Sequence, residues 1–250
     1  MIPKILHYCW FGRGKPPKLF KKCMKSWKKF CPDYQIMLWN EDSFDVTQFQ
    51  YVSEAYSKRK FAFVADFVRL YALVTVGGVY VDSDVEIVGS IDPFLNEKAF
   101  SGFESKTGVP TGIMGSEKGF PLFSELLHYY DGKHFLDKNG NCDTTTNVTI
   151  ITNELTKRGL KLDNTKQVID GFALFPKDVF CPLNPFGSGT NDFSEQTVCI
   201  HHFASSWVPK PERRRAKIKY FLAKVFGEKF VLKLVNFRNK LKKRKSVNKL

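Results

Sequence analysis

Several signals are missing from this chain, and each absence removes a class. No Cys-x-x-Cys pair occurs among its six cysteines (9, 23, 31, 142, 181 and 199). A zinc cluster or a disulfide framework is therefore not expected, and reduced thiols in a cytosolic protein are. No apolar run reaches the roughly 18 residues of a spanning helix. The first residues, MIPKILHYCWFG, lack the length and the small-residue cleavage pattern of a secretory signal, and read as a first core strand. Neither Gly-x-x-x-x-Gly-Lys-Ser/Thr nor Gly-x-Gly-x-x-Gly is present, so a P-loop and a dinucleotide fingerprint are unsupported. Residues 1–208 hold no internal repeat and no low-complexity segment.

Acidic residues are scarce at the end of the chain, and that is where the net charge lies. The chain has 39 Lys+Arg and 25 Asp+Glu; 16 and 2 of these fall in 210–250, so residues 1–209 hold 23 of each. The net charge of +14 thus belongs to the last 41 residues, and the body is neutral. Pro209 and Pro211 mark the boundary. Beyond them Ile218, Leu222, Val225, Phe226, Phe230, Leu234, Phe237 and Leu241 recur on one side of a helical pattern, among lysines and arginines. The expectation is a catalytic domain over 1–208 and a basic amphipathic tail over 209–250. Such a tail suits the interface of an anionic membrane; the alternative is a solvated tail that binds any polyanion.

What the body does contain is ordered. Ile5, Leu6, Tyr8, Trp10 and Phe11 predict a strand over 4–11, and Leu19 to Phe30 a helix with lysines on its outer side. A second strand is expected over 34–39, helices over about 47–57 and 61–76, and a strand at Val79–Val81. That order predicts an α/β fold with parallel strands. Further on, strands are expected at 99–103, 111–115, 167–169, 172–175 and 198–202, and helices at 122–130 and 148–158.

The segment 61–88, FAFVADFVRLYALVTVGGVYVDSDVEIV, concentrates the chemistry. A nearly apolar helix carries two charges in its middle, Asp66 and Arg69. Buried unpaired they would be costly, so they must face a partner. Three apart, they share a helix face. They can form a structural ion pair, or Arg69 can meet a phosphate while Asp66 accepts from sugar hydroxyls. Gly77-Gly78 ends the helix, and a short strand delivers Asp82-Ser83-Asp84. Two aspartates at a strand's carboxyl end suit a divalent cation with a phosphate ligand, where α/β sheets bind. Near the end of the body, His201-His202 closes another apolar strand. Successive residues face opposite sides, so only one of them can join the carboxylates. Trp10, before a glycine loop, packs in the core or offers a face to a base.

Together IPKILHYCWFG, Leu38-Trp39-Asn40, Ala65-Asp66-x-x-Arg69, Gly77-Gly78-x-Tyr80-x-Asp82-x-Asp84 and IHHFASSW resemble the glycosyltransferases of the Asp-x-Asp sugar-binding-region type, family 32-like. These include bacterial capsular and lipopolysaccharide glycosyltransferases and related yeast initiating mannosyltransferases. The resemblance spans 1–208. It implies a GT-A-type, Rossmann-like nucleotide-sugar-binding sheet in a single catalytic domain. It implies a retaining, metal-dependent hexosyl transfer from a nucleotide sugar, a UDP-sugar, to a glycan acceptor or lipid-linked saccharide in bacterial surface polysaccharide synthesis. By carry-over, Asp66, Arg69, Asp82 and Asp84 are catalytic. Trp10, Tyr8, Asp82, Ser206 and Trp207 bind the nucleotide. Asp84, His202 and Asp82 hold Mn2+ or Mg2+. With the tail, this places the protein in the cytoplasm, peripheral on the inner face of the cell membrane, with no nucleic-acid partner. Ala65 departs from the serine of many relatives, and 141–150 from their usual Gly-Pro, which weakens inference about sugar and acceptor contacts. The rival readings are a metal-dependent nucleotide-diphosphate-sugar hydrolase and a non-catalytic, membrane-associated saccharide-binding protein.

Overall fold

A computed structural model of the chain describes residues 1–105, 107–110, 112–184 and 191–204. The basic tail, the boundary at Pro209, and Ser206 and Trp207 lie outside the described residues. The chain divides into one unit of Met1–Leu183 with Asp192–Phe203, and a second of Asn184–Asn191 with Ala204–Leu250. The elements below belong to the first. Among the described residues no helix is long and apolar enough to cross a membrane.

The chain order is β1 (Ile5–Cys9), α1 (Lys18–Phe30), β2 (Gln35–Trp39), α2 (Gln50–Ser57), α3 (Phe61–Thr75), β3 (Gly78–Val81) and β4 (Val85–Ile87). A 3₁₀ turn at Asp92–Asn96 follows. Then come β5 (Ala99–Gly102), β6 (Ile113–Ser116), α4 (Pro121–His128), α5 (Asn147–Lys157), β7 (Gln167–Ile169), β8 (Phe172–Phe175), α6 (Lys177–Phe180) and β9 (Cys199–His201). Seven strands form one sheet in the order β2-β1-β3-β6-β5-β8-β7, and β4 and β9 form a separate pair.

The α/β class expected from the sequence is borne out. β1 pairs in parallel with both β2 and β3, as their helical connections require. The sheet is mixed beyond that point: β3–β6, β5–β6 and β7–β8 are antiparallel, and β5–β8 is parallel. The first strand stops at Cys9, short of the expected residue 11, because β2 ends opposite it at Trp39. The helix expected from 47 starts at Gln50. The Asp45 carboxylate takes the Thr47 N–H (2.8 Å) and holds those residues in a turn. β4, the 3₁₀ turn and α6 were not foreseen, since three to five residues hold too little periodicity to read.

Alternation along the strands sorts the core into two layers. Leu6 and Tyr8 of β1 and Val79 and Val81 of β3 face one layer, with Phe20, Cys23 and Trp27 of α1. Cys9 and Tyr80 face the other, with the apolar side chains of α3. His7 also points that way: its Nε2 lies 2.7 Å from Gly77 O, and Trp39 Nε1 donates to its Nδ1 (3.1 Å). Trp27 is fully buried and donates Nε1 to Val85 O (2.8 Å), which fastens α1 to β4. The turn from α3 into β3 needs both glycines. Gly77 and Gly78 have φ of +77° and +114°, and a Cβ on Gly78 would sit 2.7 Å from Ile5 O.

Candidate functional site

Asp82 is the residue after β3, and the alternation that turns Tyr80 toward α3 turns Asp82 the same way. Arg69 meets it there. Arg69 Nη2 lies 2.9 Å from Asp82 Oδ1 and 3.2 Å from Asp66 Oδ1, and Tyr80 OH donates to Asp82 Oδ1 (3.1 Å). The guanidinium also lies 4.8 Å from the centroid of the Tyr80 ring. The two charges of α3 therefore form an ion pair, and that pair is tied to the Asp-x-Asp. Both residues are buried, at 8% and 7% exposure. Burial opposes the charge on Arg69, but Asp82, Tyr80 and Asp66 outweigh it and raise its pKa. Burial pushes the Asp66 carboxyl up to about 6, against the pull of Arg69 and the Asn147 N–H.

Asp66 is held from behind by α5. Asn147, the first residue of that helix, donates its N–H to Asp66 Oδ2 (3.2 Å) and its side-chain Nδ2 to Asp66 O (2.6 Å). Its Oδ1 accepts from Tyr130 OH (2.7 Å). A carboxylate at a helix N-terminus is favoured by the orphan N–H groups and the macrodipole. Thr146 caps the helix by accepting from Thr149 N–H. Asn147-Val148-Thr149 fits the Asn-x-Thr pattern, but Asn147 is 1% exposed, so its side chain belongs to the core and not to a modification surface.

The pairing of β4 with β9 decides the histidine. Val85 stands opposite His201, one residue past Asp84. His201 Nε2 lies 3.5 Å from Asp84 Oδ1 and 4.0 Å from Asp82 Oδ2. His202 falls on the other face of the ribbon, where its Nε2 is 2.8 Å from Glu86 Oε2. The expectation that His202 joins the carboxylates is therefore corrected: His201 does, because register and alternation give it the inner face. Asp82, Asp84 and His201 offer ligand atoms that all lie within 4.8 Å of one another. Burial works against a charged His201, but the hydrogen bond and charge of Asp84, with Cys181 and Asp82, raise its pKa well above the ordinary value.

Two observations fit a cation at these three residues. First, the donor set is two carboxylates and an imidazole, which suits Mn2+ over the oxygen-preferring Mg2+. Second, the space is kept open by glycine: a Cβ on Gly112 would stand 2.9 Å from Val85 Cγ2, 3.0 Å from Asp82 Oδ2 and 3.2 Å from His201 Nδ1. Behind the imidazole, Glu104 Oε1 lies 3.7 Å from His201 Nδ1, a buried nitrogen with no hydrogen-bond partner among the described residues. Burial pushes the Glu104 carboxyl up. Glu104 escaped the sequence reading. It follows β5 as a lone acid, and nothing local marks it. Tyr80 and Asn147 were also missed as participants, although Tyr80 lies two residues before Asp82 and so shares its side of the strand.

Tyr8 does not lie where the resemblance put it. It points into the α1 layer, with ring centroids 5.7 Å from Phe20 and 5.3 Å from Trp27, and is 8% exposed. An even-numbered position on β1 faces that layer. Trp10 lies one residue past β1, partly exposed. Its Nε1 donates to Gly14 O (2.7 Å), and its ring is 5.2 Å from Phe20. One flank is thus packed against α1, and the bond to Gly14 fixes the ring against the glycine loop.

Comparison with known proteins bears on the same segment. Residues 17–101 match the family model described as "Glycosyltransferase sugar-binding region containing DXD motif". The "Inositol phosphoceramide mannosyltransferase 3" of Schizosaccharomyces pombe is 33% identical over 134 residues, 50% of this chain and 36% of that protein. The "Mannosyl phosphorylinositol ceramide synthase CSH1" of Saccharomyces cerevisiae is 29% identical over 134 residues, 51% and 35% of the two chains. The chain thus spans about a third of the length of these fungal relatives. The "Uncharacterized glycosyltransferase L373" of Acanthamoeba polyphaga mimivirus is 27% identical over 222 residues, 84% of this chain and 85% of that one. Among solved structures, a glycosyltransferase involved in glycosylation of the major capsid of PBCV-1 superposes with a TM-score of 0.49 at 12% identity, covering 86% of this chain and 99% of the other. The resemblance read from the sequence is borne out for the Asp-x-Asp region: residues 17–101, which run from α1 into β5, match the DXD sugar-binding-region model.

Proposed function

We propose that this protein is a metal-dependent glycosyltransferase with a GT-A-type catalytic domain. It moves a hexose from a nucleotide sugar to a glycan or lipid-linked saccharide acceptor. One observation carries the reading: Asp82, Asp84 and His201 converge within 4.8 Å at the end of β3, with a buried arginine on Asp82. Hydrolysis and mere saccharide binding need the same carboxylates, but neither has an observation in its favour.

In this reading Asp84, Asp82 and His201 would hold Mn2+, which would supply positive charge to offset that of the departing diphosphate. The protein's own groups do the rest. Arg69 is fixed in place by Asp66 and Asp82, so its positive charge is preorganised toward the leaving phosphate and needs no reorganisation. Glu104 stands 3.7 Å behind His201 Nδ1, placed to favour the tautomer that leaves Nε2 free, the role of outer carboxylates on ligating histidines. Asp66, clamped by Asn147, accepts from sugar hydroxyls at the same place. Trp10 stacks on the base with its free face. An acceptor hydroxyl attacks the anomeric carbon from the face that the diphosphate leaves; the bond from that carbon to the phosphate oxygen breaks, the hydroxyl proton passes to that oxygen, and the anomeric configuration is retained.

The donor is a UDP- or GDP-hexose. The mannosyl transfer named for the fungal relatives makes GDP-mannose a donor to test beside the UDP-sugars. The setting is surface polysaccharide synthesis at the inner face of the cell membrane, with the basic tail as anchor. The resemblance of the sequence and the charge of 210–250 support it. The test is a thermal-shift screen of nucleotide sugars with and without Mn2+, followed by product analysis with acceptor saccharides. Donor-dependent stabilisation that needs the cation, and sugar transfer that stops in chelator, are the expected results. Full turnover in excess chelator overturns the metal reading, and sugar release to water alone in the presence of acceptors overturns the transferase.

A further inference from the structure

The outward face of α1 is the molecule's other concentration of charge. Lys18, Lys21, Lys22, Lys25, Lys28 and Lys29 are all exposed, and the helix contains no acidic residue. Lys15, also exposed, precedes it. Seven of the 23 basic residues of the neutral body thus crowd into 15 positions without a carboxylate among them. Among the described residues Lys22 alone of the helix's lysines has an ion pair, 2.7 Å from Glu86 Oε2. From Lys18 to Lys29 the stripe runs about 16 Å at 1.5 Å per residue.

This arrangement costs helix stability. Lysines three and four apart repel, and the pairs 18–21, 18–22, 21–25, 22–25, 25–28 and 25–29 are all of that spacing. Lys18 also stands at the positive end of the helix macrodipole, where an acid would be favourable. The helix is held instead by its inner face, through Phe20, Cys23 and Trp27. The lysines contribute nothing to that packing. A face that weakens its own helix, and of whose lysines only Lys22 has an ion pair among the described residues, calls for an external partner of opposite charge.

We infer that this face of α1 docks on an anionic lipid surface, as a contact separate from the basic tail. Lysine ammoniums on flexible stems meet any array of anionic head groups without a fixed geometry. The face lacks what a nucleic-acid reader uses: it has no arginine fork, and the aromatics Phe20 and Trp27 are buried. Docking here also has a consequence for the site. α1 lies directly on β4, through Trp27 Nε1 on Val85 O and Ser26 Oγ on Ile87 N–H (3.0 Å), and β4 begins one residue past Asp84. The lipid contact is therefore backed by the strand that leaves the Asp-x-Asp. The inference rests on the geometry of α1 and not on the chemistry assigned to the site.

The experiment is co-sedimentation of the full chain with vesicles of phosphatidylcholine alone or mixed equally with phosphatidylserine, at physiological salt. It uses wild type, a variant with Lys18→Gln, Lys21→Gln, Lys25→Gln and Lys28→Gln, and its counterpart with arginine at the same four positions. The loss of four lysine charges near the surface, reduced by screening, predicts roughly tenfold or greater weakening for the glutamine variant. The arginine variant should bind as wild type does, and phosphatidylcholine alone should bind none of them. Whatever binding the glutamine variant keeps is the share of the tail. Unchanged binding of the glutamine variant overturns the inference and assigns all of it to the tail. Absent binding of wild type, or equal binding to the neutral vesicles, overturns it as well. RNA retention by the same variants is measured beside it: its loss in the glutamine variant with unchanged vesicle binding also overturns the inference and makes the face a nucleic-acid contact.

Discussion

α1 and α3 flank the same two strands, β1 and β3, from opposite layers, and they treat charge in opposite ways. α3 carries two charged residues, and both are buried and paired. α1 carries six, all exposed, with one ion pair among the described residues. Burial sets the difference. A charge removed from water must be matched by partners whose geometry is fixed, and such a set is a rigid, preorganised site. A charge left in water needs no partner, so it can be spent on a surface that changes.

The largest effect that would sharpen this contrast is at the tip both helices support. Asp84→Ala should remove Mn2+ binding and turnover together, a loss beyond the about 10–100-fold typical of outer-shell partners, with a melting temperature close to wild type. His201→Ala should do the same, and His202→Ala should not. Titration of Mn2+ by electron paramagnetic resonance separates the two histidines, and equal losses from both would undo the assignment.

Next in size is the buried pair itself. Arg69→Ala leaves Asp66 and Asp82 without their common partner and should cost about 3–5 kcal/mol of stability. Denaturant unfolding measures it. A cost below about 1 kcal/mol would mean that α3 treats charge as α1 does. Glu104→Ala should weaken Mn2+ by about tenfold or more, with Glu104→Gln between it and wild type.

Trp10 stands between the two regimes, one flank packed on Phe20 and the other open. Trp10→Ala should weaken nucleotide binding by about 1–3 kcal/mol, read by calorimetry. Lost stability with unchanged nucleotide affinity would make it a core residue only.

Two carboxylates on neighbouring helices should respond to pH with opposite signs. The Asp66 carboxyl is raised to about 6, above its unfolded value. Its contribution to stability is therefore fully present below the unfolded value near 4 and lost as pH rises through 6. For Glu54 of α2, burial pushes upward. Gln50, the Leu136 N–H, His134 and the Phe135 N–H outweigh it, and the carboxyl falls to about 2. Its contribution is present above the unfolded value near 4.5 and lost as pH falls toward 2. Melting curves of Asp66→Asn and Glu54→Gln across pH 3–8 should each lose one of these slopes. The smallest effect belongs to α1. Lys21→Gln removes two repulsive pairs, 18–21 and 21–25, and should raise helix stability by a few tenths of a kcal/mol, seen as a slightly higher melting temperature.

Much of the fold was legible because its signals are local. The apolar run of α3, the Gly77-Gly78 turn, the strand before Asp82 and the alternation of β1 all lie within short windows. So does the segregation of charge: a neutral body, a basic stripe on α1 and a tail of +14 are properties of composition. The sequence by itself determined that Asp66, Arg69, Asp82 and Asp84 would be near one another, since a helix and the strand it feeds carry all four. Only the tertiary structure decided which histidine joins them. His201 and His202 are adjacent in sequence and equivalent in composition. The register of β9 on β4, elements more than a hundred residues apart, sends one inward and pairs the other with Glu86. The same long-range packing brought Glu104 behind His201 and set Asn147 on Asp66. Those contacts have no local signature, because the partners of a buried polar group are chosen by which strand edges and helix ends the sheet brings together.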